Sequence, residues 1–161
     1  MPMKPWSKLQ KRLYGIIDPR IDFQIHCVAY PMKSRRGTAG IPRYYITLGK
    51  EIIWDYPKDF IAGTQSGSES NYPHENDATA ISLLIEEYIE TDKTILLQKD
   101  FISDRWGLTD ILKASDRRIG RKRLQSLLTS VRGTRAKEII HQRNELYEGM
   151  KDSSFPEYFA R

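Results

Sequence analysis

Read from the N-terminus, the apolar residues change their spacing several times, and each change marks a predicted element. Trp6, Leu9, Leu13 and Ile16/Ile17 recur at helical intervals, which predicts an N-terminal helix docking one stripe on a core. Ser7 with Gln10 three residues later reads as a capping box, and Asp18-Pro19 as the stop. Over FQIHCVAY, residues 23–30, the period drops to two. Phe23, Ile25, Cys27 and Ala29 fall on one face and Gln24, His26, Val28 and Tyr30 on the other, the pattern of a strand. RYYITLGKEIIWDYP splits at Gly49-Lys50 into two strands, 43–48 and 51–56, joined by a tight turn. Between the first two strands PMKSRRGTAGIP, residues 31–42, is bounded by prolines and is expected to be a flexible basic loop. The three strands predict an antiparallel meander with helices on one face.

Residues 63–76, GTQSGSESNYPHEN, contain no aliphatic side chain and are expected to be a mobile linker. Helical spacing then returns. Asn76 or Asp77 is expected to cap a helix with Ile81, Leu84, Ile85, Tyr88 and Ile89 on one stripe and Glu86, Glu87 and Glu90 mainly off it. TDKTILLQKDF reads as another short helix. Next, Leu108, Ile111, Leu112 and Ile119 form one stripe (Ser115 lies on it), and Leu124, Leu127, Leu128 and Val131 a second. At about 100° per residue the two are rotated by roughly 120°, so one straight helix cannot bury both. Two short helices meeting at Gly120 are predicted, glycine being the residue that tolerates the break. Thr134 is expected to cap a last helix with Ala136, Ile139, Ile140, Arg143 and Leu146/Tyr147 at helical spacing. In the tail, residues 149–161, Phe155, Tyr158 and Phe159 are expected to pin it to the body. The fold class is α+β in a single domain, 1–161. A helix plus β-meander (1–62) is followed by the linker (63–76), a helical half packed on the sheet (77–148) and the tail.

Composition narrows the class. Of 161 residues, 39% are hydrophobic and 29% charged, ordinary for a soluble globular chain. No aliphatic run approaches the roughly 20 residues of a membrane span, so no membrane association is expected. The start lacks a continuous apolar stretch and a small-residue cleavage site, against a signal peptide. The single cysteine, Cys27, excludes an intrachain disulfide and fits a reducing cytoplasm. The net charge of +5 is unevenly spread: residues 1–62 carry 11 basic and 5 acidic side chains, 63–100 carry 2 and 8, and 101–161 carry 13 and 8. That layout permits self-complementary packing as readily as an anionic partner.

The densest feature lies at the predicted corner, where Arg117, Arg118, Arg121, Lys122 and Arg123 put five cations into seven residues. Cations at a helix start are disfavoured by the dipole, by about 0.3–1 kcal/mol each, whereas free N–H groups beside them suit a phosphate. These five are the candidate contacts for an anionic macromolecule, nucleic acid or an acidic protein. The same arrangement fits an internal network with Asp104, Asp110 and Asp116, or with Glu86, Glu87 and Glu90. The glycine and small residues do not fall at helix-turn-helix spacing, and Gln125 is the sole base-reading type in the second helix. Nucleic acid would therefore be met at its backbone rather than read.

Little else points to chemistry. His26 and Cys27 are adjacent in a strand and so face opposite ways, which argues against a nucleophile pair. His74 lies in the linker. Glu138, His141 and Glu145 share a helix face but lack a second cluster to complete a metal shell; ion pairing with Arg135, Lys137 and Arg143 is the simpler reading. Asp55 and Asp59 are separated by a proline. No nucleotide-binding, hydrolase, zincin or CxxC motif occurs, so no cofactor and no metal is expected.

Three stretches carry a resemblance: WSKLQKRL (6–13), YITLGKEIIWDYPKDF (45–60) and DRWGLTDILKASDRRIGRKRL (104–124). Together they resemble a family of small bacterial cytoplasmic proteins, of uncharacterised activity, with a WSKL-like start and an ADRRIGKRRL-like segment. Ser115 stands where that pattern has a second alanine. The resemblance spans nearly the whole chain and implies a single-domain protein; it brings no catalytic residue. The reading favoured by these observations is a non-enzymatic cytoplasmic binding module that uses the basic corner. An interaction module of the immunity or antitoxin type is the alternative. An enzyme with a dispersed site, bringing His26 or His141 to carboxylates, is the third.

Overall fold

In the computed structural model, which describes residues 6–34, 37–56 and 75–151, the elements run in a fixed order. They are α1 (Trp6–Tyr14), β1 (Phe23–Ser34), β2 (Gly37–Leu48), β3 (Glu51–Tyr56), α2 (Glu75–Glu90), α3 (Leu108–Ser115), α4 (Arg121–Ser130) and α5 (Thr134–Lys151). The fold is α+β, with one three-stranded antiparallel sheet in the order β1-β2-β3. The chain divides into two compact units, Met1–Tyr14 with Asp22–Ile89, and Gly15–Ile21 with Glu90–Arg161. Most of the expected linker, His74, Asp59 and the tail aromatics lie outside the described residues.

In the first unit the apolar face of the sheet follows the alternation of the sequence: Phe23, Ile25, Tyr44 and Ile46 are buried, together with Leu9 and Leu13 of α1 and Ile81, Leu84, Ile85 and Tyr88 of α2. Trp6 meets Tyr44 edge-on, centroids 5.4 Å apart. The register of β2 and β3 slips between Ile46↔Trp54 and Thr47↔Ile52. Ile53 is the extra residue of that bulge, which is why Ile53 and Trp54, neighbours in a strand, are both buried. Gly49 takes φ 63° in the two-residue turn between Leu48 and Glu51, the left-handed conformation such turns require.

The expected loop at 31–42 is instead a continuation of the hairpin. β1 and β2 keep one unbroken register from Phe23↔Leu48 to Ser34↔Gly37. The prolines are tolerated because of the ladder's phase. Gly49 donates its N–H to Asp22 O (2.9 Å), so even-numbered positions of β1 face β2 and odd-numbered ones face away. Ile25 shows this directly: its N–H donates to Tyr14 Oη (3.0 Å) and its carbonyl accepts from Gln10 Nε2 (2.6 Å). Three periods on, Pro31 has its missing donor on the same outer edge. Pro42, opposite Ala29, belongs to the same phase, and among the described residues β3 pairs with β2 no further than Tyr44↔Tyr56.

The helices also differ from the sequence reading in several places. α1 starts at Trp6, so Ser7 is inside the first turn and Gln10 braces β1 rather than closing a capping box. It ends at Tyr14; Ile17 is not helical but bridges Asp116. Residues 93–98 form consecutive turns instead of a helix, because Asp92 Oδ1 captures both the N–H and the hydroxyl of Thr94 at 2.8 Å. The last helix begins at Thr134, leaving Gly133 as its cap position.

Candidate functional site

The second unit is built around two copies of one small device. Asp18-Pro19-Arg20-Ile21 and Asp116-Arg117-Arg118-Ile119 share the pattern Asp-x-Arg-Ile, and both fold alike. Asp18 Oδ1 accepts from Arg20 N (2.9 Å) and Nε (3.0 Å), and Oδ2 from Nη2 (2.6 Å). Asp116 Oδ1 accepts from Arg118 N (2.8 Å) and Nε (3.0 Å), and Oδ2 from Nη2 (2.7 Å). In each, the isoleucine N–H returns to the aspartate carbonyl, at 3.3 Å from Ile21 and 3.1 Å from Ile119. An aspartate that accepts the N–H two residues on makes a turn, and the arginine then closes a bidentate fork on it. The two turns lie antiparallel, joined by Asp18 N to Ser115 O and Arg117 N to Ile16 O, each 2.8 Å.

Arg143 of α5 fills the space between them. It is fully buried, and its guanidinium donates to Asp18 Oδ2 (2.8 Å), Ala114 O (2.9 Å), Asp116 O (3.0 Å) and Ile119 O (2.9 Å). Ala114 O belongs to the last turn of α3, where helical carbonyls lose their partners, and Asp116 O and Ile119 O belong to the turn that follows, so a buried cation ties the end of α3 to that turn. Burial pushes the Asp18 carboxyl up, but the hydrogen bonds from Arg20 and the charges of Arg143 and Arg20 outweigh it, and the net shift is downward. Arg143 lies on the helical stripe, as its spacing predicted, yet it is not an exposed partner for the glutamates of α5. Arg135 takes that role with Glu138, at 3.2 Å.

This arrangement also corrects the origin of the corner. The first helix stops at Ser115, and Asp116 is its extended C-cap. Gly120 takes φ −81° and ψ −178°, extended backbone open to any residue. The turn at Asp116, not glycine, makes the break. At the other end of α3, where Gly107 offers no side chain, Asp104 caps: Oδ1 accepts from Leu108 N (3.2 Å) and Oδ2 from Thr109 N (2.8 Å) and Oγ1 (2.6 Å).

The five candidate cations are brought together, but in unequal states. Arg118 is committed to Asp116 and to Thr91 O (3.0 Å). Arg121 pairs with Glu148 and lies 5.9 Å from the centre of the Tyr147 ring, whose neighbour Arg20 stands at 4.2 Å. Arg123 donates to Lys93 O (2.6 Å) and Arg118 O (3.4 Å), contacts that leave its charge uncompensated. Arg117 and Lys122 are exposed. The first turn of α4 holds no acidic residue, and its Gly120 cap supplies no side-chain acceptor. Of the glutamates expected as partners, Glu86 pairs with Arg12 at 3.7 Å.

The remaining candidates are held by local contacts. Cys27 and His26 point to opposite faces: burial raises the Cys27 thiol above its ordinary value, partly offset by a hydrogen bond with Tyr44, while His26 stacks on Tyr45 at 4.8 Å. Tyr44 is raised further by burial and shares a 2.7 Å hydrogen bond with Ser82 of α2. Asp55 holds Arg43 through two 3.1 Å bonds. Among the described residues no group of three His, Cys, Asp or Glu side chains is placed to hold a metal. No helix among them is long and apolar enough to cross a membrane. The paired Asp-x-Arg-Ile turns escaped the sequence reading; the recurrence of that four-residue pattern was the available signal.

Compared with known proteins, the chain matches no curated protein and no solved structure. Residues 5–146 match the model of the SF0329 protein family.

Proposed function

The chain belongs to the SF0329 protein family, and from that premise we propose that it is a non-enzymatic binding module whose basic corner, Arg117 to Arg123, engages an anionic partner. The observation that carries this reading is the incomplete internal compensation at the corner. Arg118 and Arg121 have carboxylate partners, whereas Arg117, Lys122 and Arg123 have none among the described residues. An uncompensated cation cluster over uncapped N–H groups attracts phosphate or carboxylate oxygens from outside. A structural cluster would place its acceptors where the charges are, as the same unit does around Arg143.

A filter-binding titration against salt, with mixed-sequence DNA and RNA as probes, tests the nucleic-acid form of this reading. Arg117→Glu with Lys122→Glu is the informative variant, since neither side chain supports the fold. Binding that weakens with salt and falls at least tenfold in the variant is expected. Unmeasurable binding at low salt, or a variant that binds as the parent does, overturns it.

A further inference from the structure

The first turn of α4 contains no acidic residue, although the helix dipole favours a carboxylate at that end. The fold brings one from elsewhere. Glu148, in the last turns of α5, hydrogen-bonds Arg121, the residue that opens α4 and lies 27 positions earlier in the chain. The corner thus has two ion pairs, and they are built differently. Asp116 is fully buried and takes both the main-chain and the guanidinium donors of Arg118, two residues away in one turn. Arg121 and Glu148 keep 33% and 59% of their side chains exposed and stand on separate helices.

An exposed pair of two long side chains is held weakly, because water screens it and its geometry costs side-chain entropy. The Tyr147 ring adds little to the hold on Arg121. Arg20 already covers that ring at 4.2 Å, and Arg121 stands at 5.9 Å, near the outer limit of a cation–ring attraction. Among the described residues Glu148 is therefore the carboxylate that occupies Arg121, and an outside anion competes with it on even terms. A phosphate has the advantage at this place: beside Arg121 it also meets Arg117, Lys122 and Arg123, which have no carboxylate among the described residues.

We propose that Glu148 is an internal competitor that sets the affinity of the corner: it holds Arg121 in the unbound protein, and a nucleic-acid phosphate displaces it to gain that arginine. This rests on the reading of the corner as a phosphate-binding site and adds to it a residue of α5. Fluorescence anisotropy with the full chain and a short labelled DNA of mixed sequence tests it as a double-mutant cycle. Moderate salt is used, so that charges more than about 10 Å away are screened. Glu148→Gln keeps the size of the side chain and should bind about threefold more tightly, the worth of an exposed ion pair. Glu145→Gln removes the same charge from an exposed position of the same helix that is not bonded to Arg121, and should gain less. In an Arg121→Gln background the gain from Glu148→Gln should shrink to the Glu145→Gln value. Thermal melts and circular dichroism like those of the parent would show the fold intact in each variant. No gain from Glu148→Gln, an equal gain from Glu145→Gln, or a gain that persists in full without Arg121 overturns the proposal. The corner variant Arg117→Gln/Lys122→Gln, measured in parallel, tells the two readings apart. Binding lost there, with no gain from Glu148→Gln, keeps the corner and removes the competitor. A corner variant that binds as the parent does, or no binding by any of the proteins even at low salt, overturns both.

Discussion

Arg143 Nε lies 2.8 Å from Asp18 Oδ2, joining the last helix to a turn 125 residues earlier in the chain. Both side chains are removed from water, Arg143 at 1% and Asp18 at 2% exposure. Isolated buried charges are costly, and this pair survives because both carboxylate oxygens and every nitrogen of the guanidinium are hydrogen-bonded: Asp18 also holds Arg20, and the guanidinium also holds three main-chain carbonyls. Truncating one partner is worse than never having had the pair. Arg143→Met is expected to lower unfolding free energy by about 3–5 kcal/mol in urea denaturation. Arg143→Lys should recover little, because one ammonium cannot reproduce the planar fork that reaches four acceptors. A loss below about 1 kcal/mol for either, the size of an ordinary surface change, would show the hub to be dispensable.

The lowered titration of Asp18 makes a signed statement about acid. A carboxyl whose folded value lies below its unfolded one adds stability that is complete above the unfolded value, near 3.9. That stability is lost as pH falls through the lower folded value. The denaturation midpoint should therefore drop as the pH is taken below about 4. In Asp18→Asn, which starts less stable, the drop should be shallower. Parallel acid limbs for the two proteins would mean that Asp18 is not a group whose protonation loosens the fold.

Two glycines should respond differently to alanine. Gly49 holds φ 63°, where a Cβ costs about 1–2 kcal/mol, so Gly49→Ala is expected to destabilise by that amount. Gly120 is in extended backbone with nothing within 4 Å of an added Cβ. Gly120→Ala should be near neutral, the gain of about 0.4–1 kcal/mol through the unfolded chain being offset by the poorer N-cap that alanine makes for α4. Thermal melts of both variants check this, and a Gly120→Ala as destabilised as Gly49→Ala would restore glycine as the cause of the corner.

The elements themselves were legible along the chain because periodicity is a local property. The stripes of α2 through Ile81, Leu84, Ile85 and Tyr88, the alternation over 23–28 and the Gly49-Lys50 turn all follow from which side of an element must be dry. The five cations of the corner were legible too, as a sequence cluster. Their unequal states were not: Arg118 and Lys122 look alike in sequence, but only the first has a carboxylate, Asp116, two residues before it in a turn the spacing of apolar residues does not reveal.

Sequence alone determined the fold class, the strand order's raw material and the location of the charge. Tertiary structure decided whether Pro31 and Pro42 end a strand or ride on its outer edge, since the cost of a missing N–H depends on which side the partner strand lies. It also decided that Arg143, placed on a buried stripe by its spacing, would become the centre of the second unit. A stripe says that a side chain faces inward. What it meets there, Asp18 and the carbonyls at the end of α3, comes from segments far away in the chain, and only their assembly turns a buried charge from a liability into a brace.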